Sequence, residues 1–142
     1  MGCDIHVCIQ GRYDGRSYWY DLALDFYVER HYPLFAAMAD VRNHEEYKIN
    51  PVAQPRGVPT DLDPADEDNP YTTSAFISHW TGDGHSHSWL MTDEFEEALN
   101  RASWSKIWTA GNSRSGIAIL AFMRQWEQQT GGAARVVFFF DN

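Results

Sequence analysis

Basic residues are scarce in this chain: eleven Lys and Arg stand against twenty Asp and Glu among 142 residues, a formal charge of −9. That balance is the reverse of the electrostatic footprint of proteins that coat nucleic acid, so it argues against nonspecific DNA binding. Long apolar runs are missing too. None approaches the roughly 20 residues of a membrane span, and the N-terminus has no basic-plus-apolar segment of the signal-peptide kind. The expectation is a soluble, cytoplasmic protein with no membrane partner. Cysteine is limited to Cys3 and Cys8. In a segment that reads as a strand, five positions span about 17 Å, too far for a disulfide, and reduced thiols suit a cytosol.

What is present is enough for one core. A length of 142 residues with 44% hydrophobic and 15% aromatic content fits a single globular domain over residues 1–142. Such a chain needs no metal merely to fold, so any metal is functional first. Residues 3–10 alternate, with Cys3, Ile5, Val7 and Ile9 on one face and Asp4, His6, Cys8 and Gln10 on the other. This predicts a strand, and the turn residues from Gly11 to Gly15 followed by Ser17–Tyr20 predict a hairpin partner. Leu34, Phe35, Met38 and Val41 have helical spacing, with Pro33 in the first turn and Asn43 at the stop.

Residues 50–70 hold five of the six prolines and the acidic run Asp61, Asp63, Asp66, Glu67 and Asp68, a composition that reads as a long loop: a lid, a binding loop or a disordered insert. Residues 71–79 read as extended, with a turn at Thr81–Gly84. Helices follow over Asp93–Arg101, capped by Thr92, and over Ser113–Gln129, stopped by Gly131-Gly132. The terminal segment from Arg135 is β-branched and aromatic, a buried strand. Strands at both ends with helices between predict an α+β domain: a mixed β-sheet including both terminal strands, with about three helices packed on it.

Two segments concentrate chemistry. In Asp4-x-His6-x-Cys8 the side chains share one strand face, and carboxylate and imidazole are ordinary ligands of zinc or manganese. In His79-Trp80-Thr81-Gly82-Asp83-Gly84-His85-Ser86-His87-Ser88-Trp89, three of the six histidines fall within nine positions, and His85 and His87 share a face if the chain is extended. Asp4, His6, His85 and His87 are therefore the candidate ligands of a divalent ion, and Asp83, His85 and Asp141 the candidate catalytic groups. Asp141 joins Asp4 and His6 if the terminal strands are neighbours. Ser86 and Ser88 lack a nucleophile-elbow context. Cys8 stands badly placed for general-base help from His6. His79-x-Thr81 is half of the paired signature of two-histidine phosphoesterases, and the second copy is missing.

Arg42 with Asn43, after the first helix, and Arg56 with Gly57, between prolines, are candidate phosphate clamps. Trp80 and Trp89 bracket the histidine cluster and are candidates to stack on a nucleobase. The other four tryptophans, Trp19, Trp104, Trp108 and Trp126, read as core or interface. The acidic run lacks the sixth-position glycine of an EF-hand loop and reads as solvated.

Five ordered blocks, Met-Gly-Cys-Asp-Ile-His6, Tyr32–Asn43, Pro55–Asp61, Asp83–Leu90 and Arg135–Asn142, resemble a family of small, largely uncharacterised proteins of bacteriophages and some bacteria. The resemblance implies a phage or prophage setting, not a reaction. Position 10 is often Glu in that family and is Gln10 here. Three functional expectations follow. The first is a small metal-dependent hydrolase of a phosphoester or nucleotide-derived ligand, with the ion lowering the pKa of its bound water. The second is a non-catalytic protein that sequesters a nucleotide against a host defence. The third is an acidic inhibitor that docks on a basic host protein through residues 61–68. Association into a homo-oligomer is compatible with each.

Overall fold

The computed structural model describes residues 2–64, 66, 68–80, 82–103 and 111–142. In chain order the elements are β1 (Asp4–Arg12), β2 (Tyr20–Phe26), α1 (Tyr32–Ala39), α2 (Thr73–His79), β3 (His85–Met91), α3 (Thr92–Ser103), α4 (Arg114–Thr130) and β4 (Ala133–Asp141). The α+β class is as expected, and one four-stranded sheet runs in the order β2-β1-β4-β3. The sheet is antiparallel throughout and not mixed. Between β3 and β4 the chain passes through two helices, so it enters β4 from the end at which β3 finished, and the two strands run in opposite directions.

The terminal strands form the centre of the sheet, in unbroken register from Asp4 opposite Asp141 to Arg12 opposite Ala133. The alternation read in β1 separates its two faces. Ile5, Val7 and Ile9 join Leu90, Val136, Phe138 and Phe140 in the core, against Leu34, Phe35 and Met38 of α1, Phe95 and Leu99 of α3, and Ile119 and Met123 of α4. Phe35 meets Phe140 edge to face at 5.3 Å between centroids. Burying each such ring stabilises the fold by roughly 2–3 kcal/mol.

Helix number and several boundaries differ from expectation. Among the described residues there are four helices, because residues 73–79, expected to be extended, form α2. The Thr72 hydroxyl caps it by accepting from the Ala75 N–H at 3.1 Å, and the Thr73 hydroxyl donates to Asp21 at 2.5 Å. Capping and tertiary contacts thus override the β-prone composition of Phe76 and Ile77. α1 stops at Ala39, since Asp40 adopts φ 60° and turns its N–H back to Ala36. Asn43 instead staples the following loop, donating to Asp40 and bonding Ile49 through both its amide groups. β2 begins at Tyr20, because residues 13–17 make the turn, closed by Arg16 N–H to the Tyr13 carbonyl. Ser113, expected as about the first helical residue, instead caps α4, and Gly131, at φ 68°, ends it within the expected Gly131-Gly132 stop. Trp104, Trp108, Glu67 and Thr81 lie outside the described residues. Among the described residues no helix is long and apolar enough to cross a membrane.

Candidate anion-binding site

The sheet face opposite α1, α3 and α4 carries His6, Cys8, Gln10 and Arg12 of β1 and Arg135, Val137, Phe139 and Asp141 of β4. Two polar clusters occupy its two ends. At the first, Arg135 is only 4% exposed. Its Nε donates to Gln10 Oε1 at 2.9 Å and one terminal nitrogen donates to Asp61 at 2.9 Å, while the other, Nη2, is buried without an acceptor. Burial lowers the Arg135 pKa and Asp61 only partly restores it. A guanidinium does not lose its proton in a protein, so the unmet N–H is a standing cost of about 1–3 kcal/mol.

Around Arg135 the chain assembles a cavity of about 500 Å³ whose walls include Arg12, Trp19, Arg56, Asp61, Trp89 and Met91. That volume suits a small ligand. Each guanidinium lies over an indole: Arg12 and Arg135 are 4.7 and 4.1 Å from the Trp19 ring centroid, and Arg56 is 4.5 Å from that of Trp89. A cation over an indole is held by the ring's electron-rich face, which restrains the side chain at the pocket wall. Arg56 is tied to Glu94 through both terminal nitrogens and to the Trp89 carbonyl at 3.1 Å. Arg12 has no ion-pair partner among the described residues. The proline-rich loop is a wall of this cavity. It is pinned along β3 by Arg56 N–H to Ser88 Oγ and Gly57 N–H to the His87 carbonyl.

A polar relay runs from this pocket beneath α2. Gln10 accepts from Arg135 and donates to Asp21 at 2.9 Å, and Asp21 also accepts from Thr73 at the start of α2. An amide fits because one neighbour needs an acceptor and the other a donor. Gln10→Leu leaves a second guanidinium nitrogen unpaired and strips a donor from Asp21. The expected cost is about 3 kcal/mol, a fall of roughly 6–12 °C in the thermal midpoint, read by calorimetry.

Asp61 supplies a pH-dependent contribution. Burial raises its carboxyl, but the hydrogen bond and charge of Arg135, with the Trp19 N–H, outweigh this and hold it below the ordinary range. With the folded value below the unfolded one near 4, this stability is present above pH 4 and lost as pH falls through the lower folded value. Asp61 is half-exposed, which limits the contribution to about 1 kcal/mol. Urea unfolding is expected to separate wild type from Asp61→Asn at pH 6 and to bring them together near pH 2.

No family model matches the chain, and no curated protein or solved structure matches it. The residues themselves carry the reading.

At the other end of the face, His6 lies between Trp80 and Phe139, at 4.3 and 5.0 Å between centroids. Its Nδ1 faces Asp25 at 3.2 Å and its Nε2 faces Asp141 at 3.0 Å. The expected joining of Asp141 to His6 is present, whereas the Asp4 carboxylate is turned to Arg30 at 2.6 and 3.1 Å, which lowers its pKa. His85 and His87 do not share a face. Ser86 sits at φ 56° where the β3–β4 register shifts, so His87 stacks on Phe139 at 5.1 Å while His85 lies beside Phe140 of the helical face, its ring bonded to Ser86 and Asn142. His6 and His87 flank Phe139 from strands two apart, a spacing of about 10 Å. The structure thus does not gather Asp4, His6, His85 and His87, and among the described residues no group of three His, Cys, Asp or Glu is arranged to hold an ion.

Asp83 is exposed in the turn before β3. Arg42, at φ 53°, reaches over the Tyr32 ring, and with Asn43 it belongs to the loop after α1, outside the arginine pocket. Cys8 is buried, and burial pushes its thiol up to about 11, which keeps it protonated and poorly nucleophilic. Of the expected ligand-binding residues, Arg56 and Trp89 meet in the pocket. Arg12, Trp19, Asp61 and Arg135 complete it without having been singled out as ligand contacts.

Proposed function

We propose that the protein binds a small phosphorylated ligand in the Arg12–Arg56–Arg135 pocket and retains it intact. The observation that carries this reading is the Arg135 guanidinium, which lies over Trp19 in the wall of a cavity of about 500 Å³ and has one buried nitrogen lacking an acceptor. A phosphate oxygen there forms a charge-assisted hydrogen bond and removes the cost of the orphan N–H. Three indole-braced forks converge in a chain of net charge −9, so the recognition is local rather than a property of the whole surface. Retention without turnover is the second of the three functional expectations, the sequestering of a nucleotide.

Titration of the wild type with nucleoside monophosphates, followed through tryptophan fluorescence, tests this. Saturable binding is expected, with the ligand recovered unchanged and affinity lowered about tenfold in Arg56→Ala. Absence of saturable binding sinks the proposal. Repeating the incubation with zinc or manganese separates it from the hydrolase: release of inorganic phosphate that disappears in His6→Ala supports turnover on a resident ion instead.

A further inference from the structure

Beyond the pocket, the β1–β2 turn interleaves basic and aromatic side chains: Arg12, Tyr13, Arg16, Tyr18, Trp19 and Tyr20. Tyr13, Tyr18 and Tyr20 are 47, 49 and 47% exposed. Their rings meet edge to face, Tyr18 with Tyr20 at 4.7 Å and Tyr13 with Tyr20 at 5.7 Å, and Tyr13 also packs on Trp126 at 5.1 Å. Arg12 lines both the Arg135 pocket and the adjoining cleft between residues 12–17 and Gly131–Ala133. Arg16 lines that cleft and the next, where it stands with Tyr13, Tyr18 and Tyr20. The three hollows are thus neighbours, the first two sharing Arg12 and the last two sharing Tyr13, Asp14 and Arg16 in their walls.

Charge marks the same hollows. Arg30, Lys48, Arg56, Arg101, Arg124 and Arg135 are each paired with a carboxylate. Arg12 and Arg16, like Arg42 and Arg114 elsewhere on the molecule, have no ion pair among the described residues, and of these four only Arg12 and Arg16 line the hollows beside the pocket, with Asp14 between them in sequence. The Asp14 side chain lies beside Gly131, at the end of α4.

We infer that the ligand is a short single-stranded oligonucleotide. Its terminal phosphate enters the Arg135 pocket, a following phosphate meets Arg12 and Arg16, and its bases stack on the exposed tyrosines. This rests on the pocket reading above. Guanidinium forks recognise phosphates, and tyrosine faces accept any base, each stacked base raising affinity by roughly tenfold. The acidic remainder of the molecule repels a longer polyanion, so the gain ends after a few nucleotides.

The test compares thymidine monophosphate with 5′-phosphorylated oligothymidylates of two, four and eight nucleotides, and with a duplex of eight base pairs, by competition against a fluorescent tetranucleotide. The expected ratio of tetranucleotide to monophosphate affinity is at least tenfold, with no further gain at eight nucleotides and weaker binding of the duplex. Arg16→Ala and the double variant Tyr18→Ala/Tyr20→Ala bring the ratio toward one, while Tyr18→Trp keeps it, which shows that the ring and not the fold is read. A ratio near one in the wild type, duplex binding as tight as single strand, or a ratio that survives both alanine variants overturns the inference. Monophosphate binding with no length dependence counts against this inference alone, whereas failure of every phosphate probe counts against the pocket.

Discussion

Arg135→Met is expected to lower affinity for a nucleoside monophosphate about 100-fold while the protein stays folded. Two or more charge-assisted hydrogen bonds leave with the guanidinium, each contributing roughly 1.5–3 kcal/mol, and every 1.4 kcal/mol is tenfold in affinity. Stability responds differently because opposing effects nearly cancel. Methionine keeps an unbranched apolar stem against Trp19, and the cost of the unpaired Nη2 disappears. Asp61 is half-exposed and regains water, and Gln10 still donates to Asp21, while its buried Oε1, which loses the Arg135 donor, offsets the relief at Nη2. A change in stability within about 1–2 kcal/mol is expected, read by urea unfolding. Arg135→Lys keeps the charge but loses the planar fork, so an intermediate loss of about tenfold follows. Binding by the Met variant equal to that of the wild type refutes the pocket outright.

The residues of this pocket explain why part of the site was legible in the sequence and part was not. Alternation in β1 separated Ile5, Val7 and Ile9 from His6 and Gln10 because a strand's period is fixed by its backbone. Arg56 was legible because a lone arginine between prolines has a constrained backbone and few helical alternatives. Arg135 is masked in a terminal strand by the apolar run around it, whose pattern signals burial alone. Its signal was the charge itself: an arginine next to Ala134 and Val136 in a strand buried on both faces requires a partner or a ligand. Trp19 and Asp61 could not be found locally, since their meeting depends on the fold bringing residues 42 positions apart to 3.0 Å. The histidine cluster shows the opposite failure. Spacing of two places His85 and His87 on one face only if the backbone stays regular, and the left-handed Ser86 removes that condition. α2 was misread for a related reason, because its cap and its docking on Asp21 are tertiary facts.

Gly132→Ala is expected to destabilise the protein by about 3 kcal/mol, lowering the thermal midpoint by roughly 6–12 °C. In the sequence Gly131 and Gly132 read together as the stop of the long helix, but they do different work. Gly131 is the left-handed cap, and a methyl group there meets nothing nearer than the Asp14 side chain at 3.6 Å. Its replacement by alanine therefore incurs only the left-handed backbone cost of about 1 kcal/mol. At Gly132 a methyl carbon would lie 1.8 Å from the Arg12 carbonyl oxygen and 2.8 Å from its carbon, both backbone atoms that have no rotamer with which to yield. Relief requires parting β1 from β4 where Arg12 pairs with Ala133, and it disturbs the Arg12 carbonyl that accepts from Trp126 Nε1 at 3.3 Å. Because Arg12 is also the residue shared by the pocket and the adjoining cleft, the same shift is expected to weaken tetranucleotide binding more than monophosphate binding. Calorimetry on the two alanine variants checks the first part and the competition assay the second. Equal destabilisation at positions 131 and 132 contradicts the close approach on which the placement of Arg12 depends.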